Sequence, residues 1–339
     1  MNIGKNIQYY RMRKGVSQQW LADAIGASKS YITRLEKAKV ISDVNLVKKI
    51  CAALDVSLGQ FMTTNCSVSI TSASFRSPER LSPAQQQPIL AQLEYAAQRH
   101  YDSCQCLDIA CDGCDILDNR TRMYEDFQQA AVYLREVLGI GPTGPVGSLI
   151  HLLESKDICV ALIEPNRLDE AAEQVTCCHA MTDKGFPVLA LNSGLSLCEQ
   201  RFAIAKELAR IIFEGATKKQ VKDIAGRFLL PTEDLKRELG AKRTRISLKE
   251  IAYVQKQYGI QAHLIVLRAA EERILPQNQY YAFLEAHGGL PDNTPAEKPA
   301  RLEQLVCRAY AENMISLSKA AELLSCDVNK AAGVCGDEE

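Results

Sequence analysis

The stretch Ser17–Lys39, SQQWLADAIGASKSYITRLEKAK, decides how the first part of this chain folds. Ser17 and Ser28 each stand just before a run of apolar periodicity, where a hydroxyl can accept from the open amides of a helix's first turn. Between the two runs, Ile25-Gly26-Ala27 offers a turn with glycine at a helix end. Two short helices joined in this way set the second for insertion into a DNA major groove. In that helix Ile32 and Leu35 fall on the buried side. Lys29, Ser30, Tyr31, Thr33, Arg34 and Lys37 face outward, with donors for base edges and phosphates. Gln18, at the start of the preceding helix, is placed to hydrogen-bond a phosphate.

Working outward, the periodicity predicts helices over Ile3 to Met12, Ser17 to Ala24, Ser28 to Glu36 and Val44 to Leu54, with a last turn near Phe61. The whole chain has a net charge of -1, yet residues 1–64 hold ten Lys/Arg against four acids. That surplus suits a polyanion. These residues resemble the XRE family, the lambda-repressor/Cro type of helix-turn-helix, through IQYYRMRKGVSQQWLADAIGASKSYITRLEKAK. The resemblance implies a homodimer on a two-fold double-stranded DNA operator, with Gln18, Ser28, Lys29, Ser30, Tyr31 and Arg34 as contacts. Ala38 departs from the glycine often found there, at a helix end rather than on the reading surface.

At 339 residues and 47% hydrophobic content the chain is long enough for two or three cored domains and is not disordered. Its start, MNIGKNIQYYRMRKG, lacks a signal-peptide core, and no later run is apolar for long enough to span a bilayer. A cytoplasmic protein without a membrane partner is expected. Thirteen cysteines, including the adjacent Cys177 and Cys178, argue against a secreted disulfide framework and for free thiols or a metal site.

Residues 65–83, rich in Ser, Thr and Pro, read as a linker, followed by a helix from Ala84 to His100. Next comes CQCLDIACDGC, where Cys104, Cys106, Cys111 and Cys114 form C-x-C-x4-C-x2-C. Four soft ligands so close together suffice for tetrahedral zinc or an iron–sulfur cluster, with Asp112-Gly113 as the turn of the C-x2-C chelate. Partly buried free thiols are the alternative. Cys177, Cys178 and His179 fall in a predicted strand, where neighbours point to opposite faces and cannot easily share one ion.

From residue 120 to 240 the pattern is α+β: a helix at Glu125 to Val137, a helix through Leu153, the strand ICVALIEP and the hairpin TCCHAMTDKGFPVLALNS, whose turn is Asp183-Lys184-Gly185. Helices from Gln200 to Phe213 and from about Gln220 follow. In RFAIAKELARIIFEG, Arg201–Gly215, histidines at 206 and 210 would complete the zinc-protease signature H-E-x-x-H. LALNSGLSLCEQRFAIAKELARIIFEG with KKQVKDIAGRFLLPTEDLKREL resembles the ImmA/IrrE metallopeptidases. By that likeness Lys206, Arg210 and Lys218 stand where the family has its zinc ligands, and only Glu207, matching the general base, is retained. An arginine has no lone pair to give a metal, and a lysine ligates only after losing its proton. A pseudo-peptidase is therefore expected, with the three cations around Glu207 either replacing the metal's cross-link or forming a pocket for a small anionic ligand.

Residues 241–339 read as short helices broken at Gly259 and Pro276, in a packing or dimerisation role. The expectation is a mainly α chain: a helix-turn-helix domain (1–64), a linker with helix and cysteine cluster (65–119), a zincin-like α+β domain with a small sheet (120–240) and a helical region (241–339). The function expected is transcriptional regulation, as a repressor or autoregulator whose middle domain is a sensor or dimerisation module. A metallopeptidase that cleaves a repressor, and an antitoxin that binds a partner protein while repressing its own operon, remain alternatives.

Overall fold

A computed structural model describes residues 3–37, 43–63, 66–111, 113–114, 116, 119–122, 124–164, 173–288, 290–292 and 294–336. Ala38 and Asp112, singled out above, lie outside them. The fold is mainly α with a small sheet, and it forms two compact units. The first comprises residues 1–113, 161–190 and 300–339; the second comprises 114–160 and 191–299. Four successive domains were expected from the order of motifs. Pairings between distant segments divide the chain differently.

The first unit opens with α1 (Ile3–Lys14), α2 (Gln18–Ile25), α3 (Lys29–Glu36), α4 (Val44–Leu54) and α5 (Leu58–Thr63). Ile7, Leu21, Ile32, Leu35, Ile50 and Phe61 form their common core. Asn6 Nδ2 donates to Phe61 O at 2.7 Å and fixes α5 against α1. Gly4 sits where α1 meets α3: a Cβ there would collide with the carbonyl oxygens of Leu35 and Glu36. Gly4→Ala should therefore push α1 off α3 at a cost of about 1–3 kcal/mol. Urea unfolding followed by Trp20, the only tryptophan and part of α2, reads that loss directly; an unmoved midpoint would refute the close packing.

Residues 65–83, expected as a linker, contain β1 (Ile70–Arg76), which pairs antiparallel with β4 (Cys177–Thr182) from Ile70↔Thr182 to Arg76↔Cys177. With β3 (Cys159–Ile163) and β5 (Pro187–Asn192) they form a sheet ordered β1-β4-β5-β3. Ser and Thr suit a partly exposed edge strand as well as a linker, so composition alone misreads the segment. The predicted β4–β5 hairpin is present, with Gly185 at φ 91° in its turn. Cys177 and Cys178 are both buried.

α6 (Pro83–Cys106) begins with a capping box between Ser82 and Gln85 and continues one and a half turns beyond the expected end at His100. It reaches into the helix-turn-helix core, where Tyr95 packs on Tyr9 with ring centroids 5.0 Å apart. It also carries α15 (Arg301–Ala311) and α16 (Leu317–Leu324), which is followed by α17 (Val328–Cys335). Arg99 of α6 donates to Leu323 O at 3.2 Å and to Ser325 Oγ at 2.9 Å, closing the C-terminal end of α16.

The second unit contains β2 (Thr121–Arg122), α7 (Phe127–Val137), α8 (Leu149–Glu154), α9 (Leu197–Ile212), β6 (Phe213–Glu214), α10 (Lys218–Leu229), α11 (Thr232–Leu239), α12 (Leu248–Tyr258), α13 (Ala262–Glu271) and α14 (Gln277–His287). β2 and β6 pair in parallel. α10 packs between α7 and α9. Buried arginines tie these helices by donating to open carbonyls. Arg201 pairs with Glu297 at 2.7 Å and donates to Val146 O, Gly147 O and Tyr258 O. It crosses so close to Gly259, at φ 61°, that any β-carbon there would strike its guanidinium. Arg268 donates to Gly226 O, Leu230 O and Thr232 Oγ1, at the end of α10. Among the described residues, no helix is long and apolar enough to cross a membrane.

Candidate nucleic-acid interface

The expected caps form. Ser17 Oγ accepts from Trp20 N at 3.0 Å and Ser28 Oγ from Tyr31 N at 3.2 Å, so α2 and α3 each start on a serine. Gly26, left-handed at φ 70°, turns the chain between them, as glycine does at little steric cost. Ile32 and Leu35 then dock α3 into the core. The opposite side leaves Ser28, Lys29, Ser30, Arg34 and Lys37 exposed, with Tyr31 and Thr33 half-buried.

Some of the expected contacts are also held from within. Gln18 Nε2 donates to Glu36 Oε2 at 2.6 Å, and Thr33 Oγ1 lies 3.0 Å from both Gln18 Oε1 and Lys29 O. Tyr31 packs against the core. Behind Gln18 is a pair the sequence reading missed: Arg11 Nε and Nη2 donate to Glu36 Oε1 and Oε2 at 2.6 and 3.1 Å. Both side chains are nearly inaccessible, at 6% and 5% exposure, and the bidentate geometry locks α1 to the last turn of α3. The pair joins residues 25 positions apart on different helices, so no local spacing announces it.

Two short capped helices around a left-handed glycine, with an exposed basic row on the second, define a helix-turn-helix DNA-binding domain. Residues 7–61 match the helix-turn-helix family, of the XRE type, which supports a DNA-binding regulator. No curated protein and no solved structure matches the chain.

The four clustered cysteines are not brought together as one set. α6 ends at Cys106, Asp108 turns back at φ 54° and Ile109 N donates to Cys104 O at 2.9 Å, which returns the chain over the helix. Cys111 thereby joins Cys104, and the third member is His100, one turn earlier on α6. Cys106 is not part of that group. Cys114 belongs to the second unit, where its thiol donates to Lys156 O at 3.3 Å. Hydrogen bonding from Cys111, aided by His100 and the charge of Arg301, brings the Cys104 thiol down to about 5 despite burial. His100 and Cys104 form H-x3-C, a spacing that becomes one helical turn only because α6 continues past His100 to Cys106.

α9 bears the degenerate zinc-protease motif. Ser196 and Glu199 form its capping box, and its apolar face buries Phe202, Leu208 and Ile212. Glu207 is fully buried, and its Oε2 accepts from Arg210 Nη1 at 3.0 Å. The Lys206 ammonium stands over the Phe202 ring, 4.8 Å from its centroid. Lys218 is exposed at the first position of α10. Of the three expected cations, Arg210 pairs with Glu207 and Lys206 lies over Phe202, while Lys218 begins a separate helix with its side chain exposed.

Proposed function

We propose that the protein is a sequence-specific transcriptional regulator that binds an inverted-repeat operator as a homodimer, as a repressor or autoregulator, with a non-catalytic peptidase-like middle segment as sensor or dimerisation module. One observation carries the reading. α3 presents Lys29, Ser30, Arg34 and Lys37 together on an exposed face, while Ile32, Leu35 and the Arg11–Glu36 pair hold its back rigid. Arginine at the reading face suits bidentate contact with guanine, and lysines suit phosphates. Gln18 positions α3 through Glu36 and Thr33, with its remaining donor available to a phosphate.

The pseudo-peptidase part rests on chemistry. Arg210 supplies a permanent cation where a metal ligand would need a lone pair, and it neutralises the carboxylate that would otherwise serve as base. The alternative of an anion pocket loses support, since Arg210 already holds Glu207 and Lys218 stands on exposed surface.

The test selects duplex sites for the full chain from random DNA, then follows binding by fluorescence anisotropy between about 50 and 200 mM salt. Affinity is expected to fall steeply with salt and the selected site to be an inverted repeat. Arg34→Ala should weaken specific binding by about 1–3 kcal/mol and reduce the ratio of specific to scrambled affinity. An unchanged ratio rejects α3 as the reading helix, and a single half-site rejects the dimer.

A further inference from the structure

The group at the C-terminal end of α6 contains more than the sequence motif contained. His100 and Cys104 are four residues apart on one helix, so their side chains share a face. The reversal at Asp108 brings Cys111 back to the same point. The three ligand atoms lie within 4.8 Å of one another, and His100 Nε2 is 3.7 Å from Cys104 Sγ. Around tetrahedral zinc, Zn–S of about 2.3 Å and Zn–N of about 2.0–2.1 Å place nitrogen and sulfur about 3.6 Å apart. The pair is therefore already at ligand spacing, without movement of the helix. Phe186 packs on the His100 ring with centroids 5.4 Å apart and limits its rotation. Cys104 is buried and Cys111 half-buried, so the point they surround is sheltered yet reachable from one side.

We propose that His100 Nε2, Cys104 Sγ and Cys111 Sγ bind one zinc ion, with the fourth position open to water or to another ligand. Two thiolates and one imidazole match the soft donor set zinc takes, and two thiolates balance its charge. An iron–sulfur cluster would need further thiolates, and Cys106 is outside the group. Zinc takes both sulfurs as thiolates: a cysteine still protonated gives its proton to solvent as its Zn–S bond forms, and no electrons are transferred. The site joins two segments, the last turns of α6 and the returning chain at Cys111. Its nearest member, His100, lies about 8 Å along the helix axis from Tyr95, which packs in the helix-turn-helix core. This assignment is independent of the DNA-binding reading.

The experiment is metal analysis of the full chain purified without chelator and then titrated with zinc, in the absence of DNA. One zinc per chain is expected. His100→Ala, Cys104→Ser and Cys111→Ser should each weaken affinity at least about 100-fold, since even outer-shell partners cost about 10–100-fold. Cys106→Ser and Cys114→Ser should bind as wild type. Cobalt in place of zinc gives a readout that needs no variant: thiolate-to-cobalt charge transfer beside ligand-field bands supports the site. Variants are compared only where their circular dichroism matches wild type, and the half-buried Cys111→Ser is the conservative case. Failure of wild type to take zinc, absence of thiolate charge transfer, or loss of zinc in Cys106→Ser or Cys114→Ser overturns the assignment.

Discussion

Glu36→Ala is expected to cost the helix-turn-helix core about 3–5 kcal/mol, the scale for leaving one partner of a buried ion pair alone. Arg11 would keep its charge in a site that is 6% exposed, with Val16 O, at 2.9 Å, and the Met12 sulfur, at 3.4 Å, as its remaining acceptors among the described residues. Gln18 would lose its acceptor at the same time, and with it the link that orients Thr33. The measurement is the urea midpoint of Trp20 fluorescence, which reports on α2 alone because the chain has no other tryptophan. A companion variant separates electrostatics from packing: Arg11→Met with Glu36→Leu removes both charges and should recover most of the loss. A midpoint within experimental error of wild type for Glu36→Ala would mean that the pair is solvated and that α3 is held by Ile32 and Leu35 alone. DNA affinity should fall in Glu36→Ala under conditions where the fold is partly lost, and return in the double variant.

Arg135→Ala should have an effect of similar size in the second unit, about 3–5 kcal/mol. Arg135 is 2% exposed, and its guanidinium gives four hydrogen bonds to backbone carbonyls: Gly141 O at 2.6 Å, Phe228 O at 2.6 Å, Gly144 O at 2.8 Å and Thr143 O at 3.1 Å. Three of these shape the loop after α7, and the fourth closes the last turn of α10. Alanine would strand those oxygens without donors, and each buried polar group left unpaired costs about 1–3 kcal/mol. Lysine would restore the charge but not the fork, so Arg135→Lys should recover less than half. Hydrogen exchange over residues 138–147 and far-UV circular dichroism during urea unfolding check this. Unaltered protection of the loop would show that its shape is set by glycine and proline without the arginine.

The helix-turn-helix was legible because its signals are local: a serine before each helix, a glycine in the turn and apolar positions at helical spacing. The exposed row Lys29, Ser30, Arg34 and Lys37 follows from the same periodicity. What escaped the sequence was set by contacts between distant segments. β1 needs β4 to be a strand, and its serines and threonines look like a linker until that partner is present. The four cysteines were grouped because they are near in sequence, whereas the turn at Asp108 selects Cys111 and the helix selects His100. The resemblance to a zinc site expects Lys218 beside Glu207, but the Thr217 cap starts a new helix there and leaves Lys218 exposed. The buried arginines Arg135 and Arg268 give no periodic signal, since their partners are mainly backbone carbonyls outside their own helices.

The register of β1 with β4 also bears on how the chain is made. Arg76 pairs with Cys177, so the edge strand leaves the ribosome about a hundred residues before its neighbour, some 5–20 s at about 5–20 residues per second. The face of α6 that receives α15 waits longer still, for about 10–40 s between Cys106 and Arg301. During that interval α1–α5 can close on their own local contacts, while β1 and one side of α6 stay uncovered in the nascent chain. The first unit is completed only when α15–α17 emerge.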